Sequence, residues 1–496
     1  MKKLILAIDQ GTTATTVLLI DQDLTVVAKE SIEILPTFPQ AAWVEHDLDQ
    51  IWDGTLLAIR NLMEKNDIEG GQIAAVGITN QRETVGAWSR KTMIPYGKAI
   101  VWQCRRTTER CQELKAKGLE EKFKQKTGLV LDPYFSATKI EWFLKNISGL
   151  REKAAAGEAI FGTIDSFLLY RLTFGQVHAT DVSNASRTLL MDLKSCAWDK
   201  ELLDVFGIPE GSLPKIMSSS EVYGRTKNLQ VIPDGIPICG ILGDQQAALF
   251  GQLCIEPGET KITYGTGCFL MTNTGQTPVY SKHGMLTTLG WKIGGKITYA
   301  LEGSAFVGGS AVQWLRDGLG IIKSSSEVEA LARTAEDKDM GDLVFIPALT
   351  GLGAPHWNAE ARGMIHGLTR GSTKAHIARA TLEGIVHQND DILDAIAQDL
   401  GAPLKSLKVD GGASANNFMM QLQSDLAAVK IDRPQVLETT ALGAAMAAGL
   451  AAGFWPNTEA LKKSWKLDKN FAPSMAGQER EKRKKRWGAA LKKLQA

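Results

Sequence analysis

Two short runs carry the densest reactive chemistry of the chain. One is Gly77-Ile78-Thr79-Asn80-Gln81-Arg82-Glu83-Thr84, the other Gly243-Asp244-Gln245-Gln246-Ala247-Ala248-Leu249-Phe250-Gly251. Each places a carboxylate beside amide or guanidinium groups on what reads as a short loop leading into an apolar stretch. An alcohol donates one hydrogen bond and accepts others; Arg82 only donates, an ionised Glu83 only accepts, and Tyr134 does both. Such a set matches the neighbouring hydroxyls of a small polyhydroxylated molecule, and Asp244 is placed to take a proton from one of them as general base. Gln245 would orient that molecule. Trp102 and Phe269 are candidate apolar walls for its carbon edge, with core packing an equal alternative, and an exposed ion pair is the alternative for Arg82 and Glu83. The two runs are far apart in sequence, so only a folded cleft can unite them.

Three glycine-containing turns are candidates for gripping phosphate. Leu4 to Ile8, Val17 to Ile20 and Val26 to Ala28 read as three consecutive antiparallel strands, with Asp9-Gln10-Gly11-Thr12-Thr13 at the first turn. No helix follows that turn and there is no GxxxxGK[ST], which separates it from a P-loop or a dinucleotide turn. The candidate is a hairpin tip, where Gly11 turns backbone N–H groups toward an anion and Thr12 and Thr13 add hydroxyls. Asp9, at the strand end, could hold a hydrated Mg²⁺ through water. A second hairpin runs Lys261 to Tyr264, Gly265-Thr266-Gly267, Cys268 to Met271, with a further strand near Gly294 to Leu301. This repetition predicts two related domains facing each other, with a boundary near Pro257-Gly258. In Val409 to Asn417 a strand runs into glycines and a helix start. Bare Gly412 would let a purine or ribose lie against the backbone and Asn416 could bond it, an ordinary helix cap being the alternative.

Between these turns, Thr381 to Gln398 has the 3.6-residue period of a helix. Ala441 to Ala452 is nearly all small residues, which suits a helix packed close to another backbone. The basic run Arg480 to Arg486, followed by Trp487, Leu491 and Leu494, reads as the solvated face of an amphipathic terminal helix.

The chain has 496 residues, enough for two or three domains, with 44% hydrophobic and 22% charged residues as in ordinary globular proteins. A net charge of +1 gives no global field for nucleic acid or a membrane surface. The six cysteines form no CxxC and read as free thiols of a reducing compartment. No apolar run reaches a membrane span, the N-terminus lacks a secretion signal, and the seven histidines form no ligand pair. A cytoplasmic enzyme is expected.

Together these residues resemble the glycerol kinases of the FGGY carbohydrate kinase family. The resemblance runs from Leu4 to about Trp455 and is carried by Asp9 to Thr13, Trp43 to His46, Gly77 to Thr84, Ile100 to Arg106, Asp132 to Ser136, Gly243 to Gly251, Tyr264 to Phe269, Gly351 to Pro355 and Asp410 to Phe418. It implies an α/β fold of two actin-like, ribonuclease H-like ATPase domains with a cleft between them. Residues 1–252 would bind glycerol and phosphate, and residues 253–496 nucleotide. The implied reaction is ATP-dependent phosphorylation of glycerol to sn-glycerol 3-phosphate by direct in-line transfer, with Mg²⁺. The resemblance gives Asp244 as base, and Arg82, Glu83, Tyr134, Asp244 and Gln245 as glycerol ligands. Thr12, Thr13, Ala14, Thr266, Gly309, Gln313, Gly412 and Asn416 would line the nucleotide site, and Asp9 the metal. Ala14 and Thr16 depart from the family's usual Ser and Arg, removing a hydroxyl and a charge near the phosphates. Lys227 to Gln230 and Gly224 to Thr226 lack the residues through which family members respond to fructose bisphosphate or a phosphocarrier. A homodimer or homotetramer is the implied assembly, with no nucleic-acid partner.

Overall fold

The computed structural model describes residues 2–495. Leu4–Gln10 (β1), Ala14–Ile20 (β2) and Val26–Glu33 (β3) form the expected antiparallel meander. Helix Leu48–Lys65 (α1), capped by the Asp47 side chain, crosses back so that Ile73–Asn80 (β4) lies parallel to β1. Pro237–Gly243 (β5) then lies parallel to β4 and passes directly into helix Asp244–Gly251 (α2). β1, β4 and β5 are buried along nearly their whole length, the pattern of parallel strands covered on both faces.

The second half repeats this plan. Glu259–Tyr264 (β6), Cys268–Gly275 (β7) and Lys296–Ala305 (β8) are antiparallel neighbours. Helices Gly309–Asp317 (α3) and Lys374–Leu400 (α4) precede Ser406–Asp410 (β9), which lies parallel to β6. Helix Asn417–Ala427 (α5) leads to Ile431–Pro434 (β10), parallel to β9, and helix Thr439–Ala451 (α6) follows. In space the first half reads β3-β2-β1-β4-β5 and the second β8-β7-β6-β9-β10, the same order twice. Both belong to one 13-stranded sheet, whose halves meet through a single residue pair, Ser220 with Ile293. The duplication expected from two hairpins is therefore a duplication of topology.

Each half has its own core, the first around α1 and the second around α4. A third apolar cluster joins α6 to α2 and to β1, β4 and β5. Here the small residues of α6 allow backbone contact, as their composition suggests. A Cβ on Gly443 would sit 1.9 Å from the Ala247 carbonyl oxygen, and one on Gly251 2.0 Å from that of Thr439.

The terminal helix Gly477–Gln495 (α7) forms and buries Trp487 and Leu491 as an amphipathic helix would, but its basic face departs from expectation. Its basic run does not simply face water. Arg483 and Arg486 pair with Glu383, and Lys484 with Asp390, all on α4. Trp487 is buried, stacks on the His387 ring at 5.0 Å between centroids, and donates its indole N–H to Asp391 at 2.8 Å. Burial and the three neighbouring cations push His387 down to about 3. The acidic face of α4 decides this docking, and the tail sequence alone does not reveal it.

Candidate active site

The parallel strands end together. Register pairs Asp9 with Thr79 and Gln10 with Asn80 across β1 and β4, and Gly243 with Asn80 across β5 and β4. The carboxyl ends of three neighbouring strands thus deliver Asp9, Arg82, Glu83 and Asp244 to one place, where open α/β sheets bind ligands. One expectation is corrected. The run from Gly243 is not a loop: Asp244 is the first residue of α2, with Gln245 and Gln246 in its first turn. The helix N-terminus favours a carboxylate there, and Asp244 Oδ1 accepts the Gln245 N–H at 2.7 Å.

A buried ionic cluster surrounds Asp244. Arg82 donates Nη1 and Nη2 to the two oxygens of Glu302 at 2.6 and 2.9 Å, and Nη1 to Gln246 Oε1 at 3.3 Å. Arg187 donates Nε to Glu83 at 2.6 Å and Nη2 to Glu302 at 3.2 Å. Arg82, Arg187, Glu83 and Glu302 are at most 3% exposed, whereas the Asp244 side chain is 31% exposed. Arg82 Nε stands 3.0 Å from Asp244 Oδ1 and 4.0 Å from Glu83 Oε1. It makes a hydrogen bond to neither, and together with Arg187 Nη1 it has no hydrogen-bond partner among the described residues. The Nε edge of Arg82 is thus buried beside an accessible carboxylate to which it is ion-paired without an aligned hydrogen bond.

Tyr134 closes one side. Its hydroxyl is raised beyond its ordinary range by burial and by Glu83. Its ring meets that of Trp102 at 5.6 Å, edge to face, and Trp102 donates its indole N–H to Thr12 Oγ1 at 2.9 Å. One chain of contacts therefore runs from the acceptor candidates to the first hairpin tip. Phe269 is half-buried on β7, opposite Ser304 and two residues beyond the Met271–Glu302 pair.

Asp9 is half-buried. Burial, and then the charge of Asp244, push its carboxyl up to about 7, with Lys29 opposing. Asp9 has no ion-pair partner within 4.0 Å among the described residues, and its carboxyl is of the kind that suits a cation. Among the described residues no group of three or more His, Cys, Asp or Glu could hold a metal ion. The oxygen donors of Asp9 are of the type that suits a hydrated Mg²⁺ held through water.

The remaining nucleotide candidates form a second group. Gly11 N–H bonds the Ala14 carbonyl across the first tip, leaving Thr13 exposed. At the second tip the Gly265 carbonyl accepts the N–H of Gly309 at 2.8 Å and the Thr266 carbonyl that of Ser310 at 3.1 Å, so the tip is fastened to the start of α3. A Cβ on Gly309 would lie 3.9 Å from that of Ala413, which brings the turn after β9 alongside. Gln313 is exposed on α3, and nothing lies within 4 Å of where a Gly412 Cβ would be. Asn416 caps α5, its Oδ1 accepting Met419 N–H at 2.9 Å.

Four site residues escaped the sequence reading: Arg187, Glu302, Lys139 and Lys261. Lys139 donates to the Tyr134 and Glu83 carbonyls at 2.6 and 3.1 Å. Lys261 donates to Gln245 Oε1 and Thr263 Oγ1, and burial lowers it to about 8 against the pull of Asp410 and Asp244. For Glu302 the available signal was a charge inside an apolar strand, Tyr299-Ala300-Leu301-Glu302.

Residues 4–251 match the N-terminal domain, and residues 260–452 the C-terminal domain, of the FGGY family of carbohydrate kinases. The chain is 54% identical to the glycerol kinase of Bdellovibrio bacteriovorus over the full length of both. It is 52% identical to that of Myxococcus xanthus over 99% of each. The crystal structure of Plasmodium falciparum glycerol kinase with ADP superposes with a TM-score of 0.94 at 36% identity, covering 99% of this chain and 98% of that one.

Proposed function

The chain belongs to the FGGY family of carbohydrate kinases and is a kinase, and from that premise we propose that it phosphorylates glycerol from ATP to give sn-glycerol 3-phosphate. The observation that carries this is the buried Nε edge of Arg82, 3.0 Å from the accessible Asp244 carboxylate and 4.0 Å from that of Glu83 with an aligned hydrogen bond to neither. A polyol hydroxyl can accept from that N–H while donating to a carboxylate.

In the mechanism, Arg82, Glu83, Tyr134 and Gln245 hold the hydroxyls, with Trp102 and Phe269 against the carbon edge. Asp244 receives the proton of the attacking hydroxyl as its oxygen bonds to the γ-phosphorus and the bond to the β-phosphate oxygen breaks, in line. Phosphoryl transfer demands positioning and charge stabilisation more than covalent participation. Thr12, Thr13, Ala14 and Thr266 at the two tips would grip the phosphates, and Gly309, Gln313, Gly412 and Asn416 would line the nucleotide. Asp9 would hold a hydrated Mg²⁺, which when bound neutralises phosphate charge.

We place the acceptor and phosphate functions in residues 1–252 and the nucleotide function in 253–496, a division supported by the repeated strand order. Approach of the two halves would exclude water, the competing acceptor. Six free cysteines support a cytoplasmic setting, and a homodimer or homotetramer is the assembly we propose. The test is ADP release from Mg-ATP with and without glycerol, beside xylulose, ribulose, gluconate and dihydroxyacetone. A glycerol-dependent signal is expected; a response to another substrate but not to glycerol would overturn the reading.

A further inference from the structure

Glu302 reaches from the second half of the chain into a cluster otherwise built by the first. It lies on β8, within the C-terminal family match, while Arg82 and Arg187 lie within the N-terminal one. Its oxygens occupy both terminal nitrogens of Arg82, at 2.6 and 2.9 Å, and one of Arg187, at 3.2 Å. Burial opposes its charge, but Arg187 and Arg82 outweigh burial and hold the carboxyl down at about 2.

We infer that Glu302 is a positioning residue for the acceptor site: by engaging the fork of Arg82 it leaves only the Nε edge to face Asp244, and it makes that arrangement depend on how the two halves are placed. The inference rests on the glycerol kinase reading above. Besides Glu302, the carboxylates beside Arg82 are Asp244 and Glu83. Without Glu302 its fork is free to turn onto Asp244 as a bidentate pair, the geometry guanidinium and carboxylate prefer. That pairing would consume both the donor an acceptor hydroxyl needs and the carboxylate that receives its proton. Glu302 prevents it by binding the fork first. Since Glu302 and Arg82 belong to different halves, the acceptor site is complete only when the halves stand at this separation.

The test compares Glu302→Gln, which keeps the shape without the charge, and Glu302→Asp, which keeps the charge on a shorter stem, by steady-state kinetics and melting temperature. The expected result for Glu302→Gln is a KM for glycerol raised about tenfold or more, roughly 1.4 kcal/mol of lost acceptor binding. A fall in kcat should accompany it, with KM for ATP within about twofold and Glu302→Asp recovering part of the loss. A glycerol KM within about twofold of the parent overturns the role. So does a parallel rise in both KM values with a lowered melting temperature, which marks a merely structural residue. If Glu302→Gln does not fold, Glu302→Asp decides by the same comparison. A parent protein inactive on glycerol would sink the functional reading and this inference with it, whereas an active parent with an unaffected variant sinks this inference alone.

Discussion

Lys139 Nζ donates to the backbone carbonyl of Glu83 at 3.1 Å, in the buried interior beneath the acceptor site. Glu83 has φ of 62°, a left-handed conformation uncommon outside glycine. Ser136 Oγ donates to the same carbonyl at 3.1 Å, so two bonds secure the peptide that aims the Glu83 carboxylate at Arg187.

Burial holds the Lys139 ammonium down at about 7, from an ordinary value of 10.5. Between those values the unfolded chain binds more protons than the folded one. The group's contribution to stability therefore rises with pH across that window; the penalty of burying its charge is complete below about 7 and gone above 10.5. Denaturant unfolding of the parent and Lys139→Met from pH 7 to pH 9.5 should show the stability difference moving in the parent's favour as pH rises. A constant difference would mean that Lys139 is not held neutral.

Asp244→Asn keeps the shape at the start of α2 and removes the proton acceptor. Turnover should fall by about two orders of magnitude or more, with glycerol binding largely retained. The measurement is kcat and KM for glycerol at saturating Mg-ATP. Near-normal turnover would remove Asp244 from the role of base.

Gly443→Ala tests the contact between α2 and α6. The added methyl would fall 1.9 Å from the Ala247 carbonyl oxygen, an atom of another helix's backbone that cannot rotate aside. A loss of about 1–3 kcal/mol in chemical denaturation is expected, the range for overpacking. An unchanged midpoint would show that the helices separate freely.

Trp487→Ala removes the ring stacked on His387 and the donor to Asp391. The expected cost is about 3–5 kcal/mol, as for other buried large aromatics. Unfolding monitored by circular dichroism would detect it, and a solvated tail would show almost none.

Much of the architecture is legible in the sequence because it rests on local rules. Asp9 to Thr13 and Gly265 to Gly267 are hairpin tips because apolar runs flank turn residues, and the small residues after Ala441 pack at backbone distance because nothing else fits. Acceptor candidates Arg82, Glu83 and Asp244 do converge, because each follows the end of a parallel strand. What is not legible depends on distant partners. Glu302 and Lys261 are single charges in strands, and only the fold shows which guanidinium or amide they meet. The segment after Gly243 contains no strong cap signal, so its helix was hidden by the polar residues that open it. The basic tail reads as solvated until the carboxylates of α4 are placed opposite it.

Helix α6, drawn from near the end of the chain, covers one face of β1, β4 and β5, which come from its beginning. During synthesis the first half can complete its strand order as soon as α2 emerges, yet the apolar side chains Ile5, Ala7, Ala75 and Leu242 still wait for residues 439–451. A nascent chain stalled in between carries an uncovered sheet face, the kind of surface that recruits chaperones or other copies of itself. Synthesis of residues 439–451 is thus also the step that seals the first-made half.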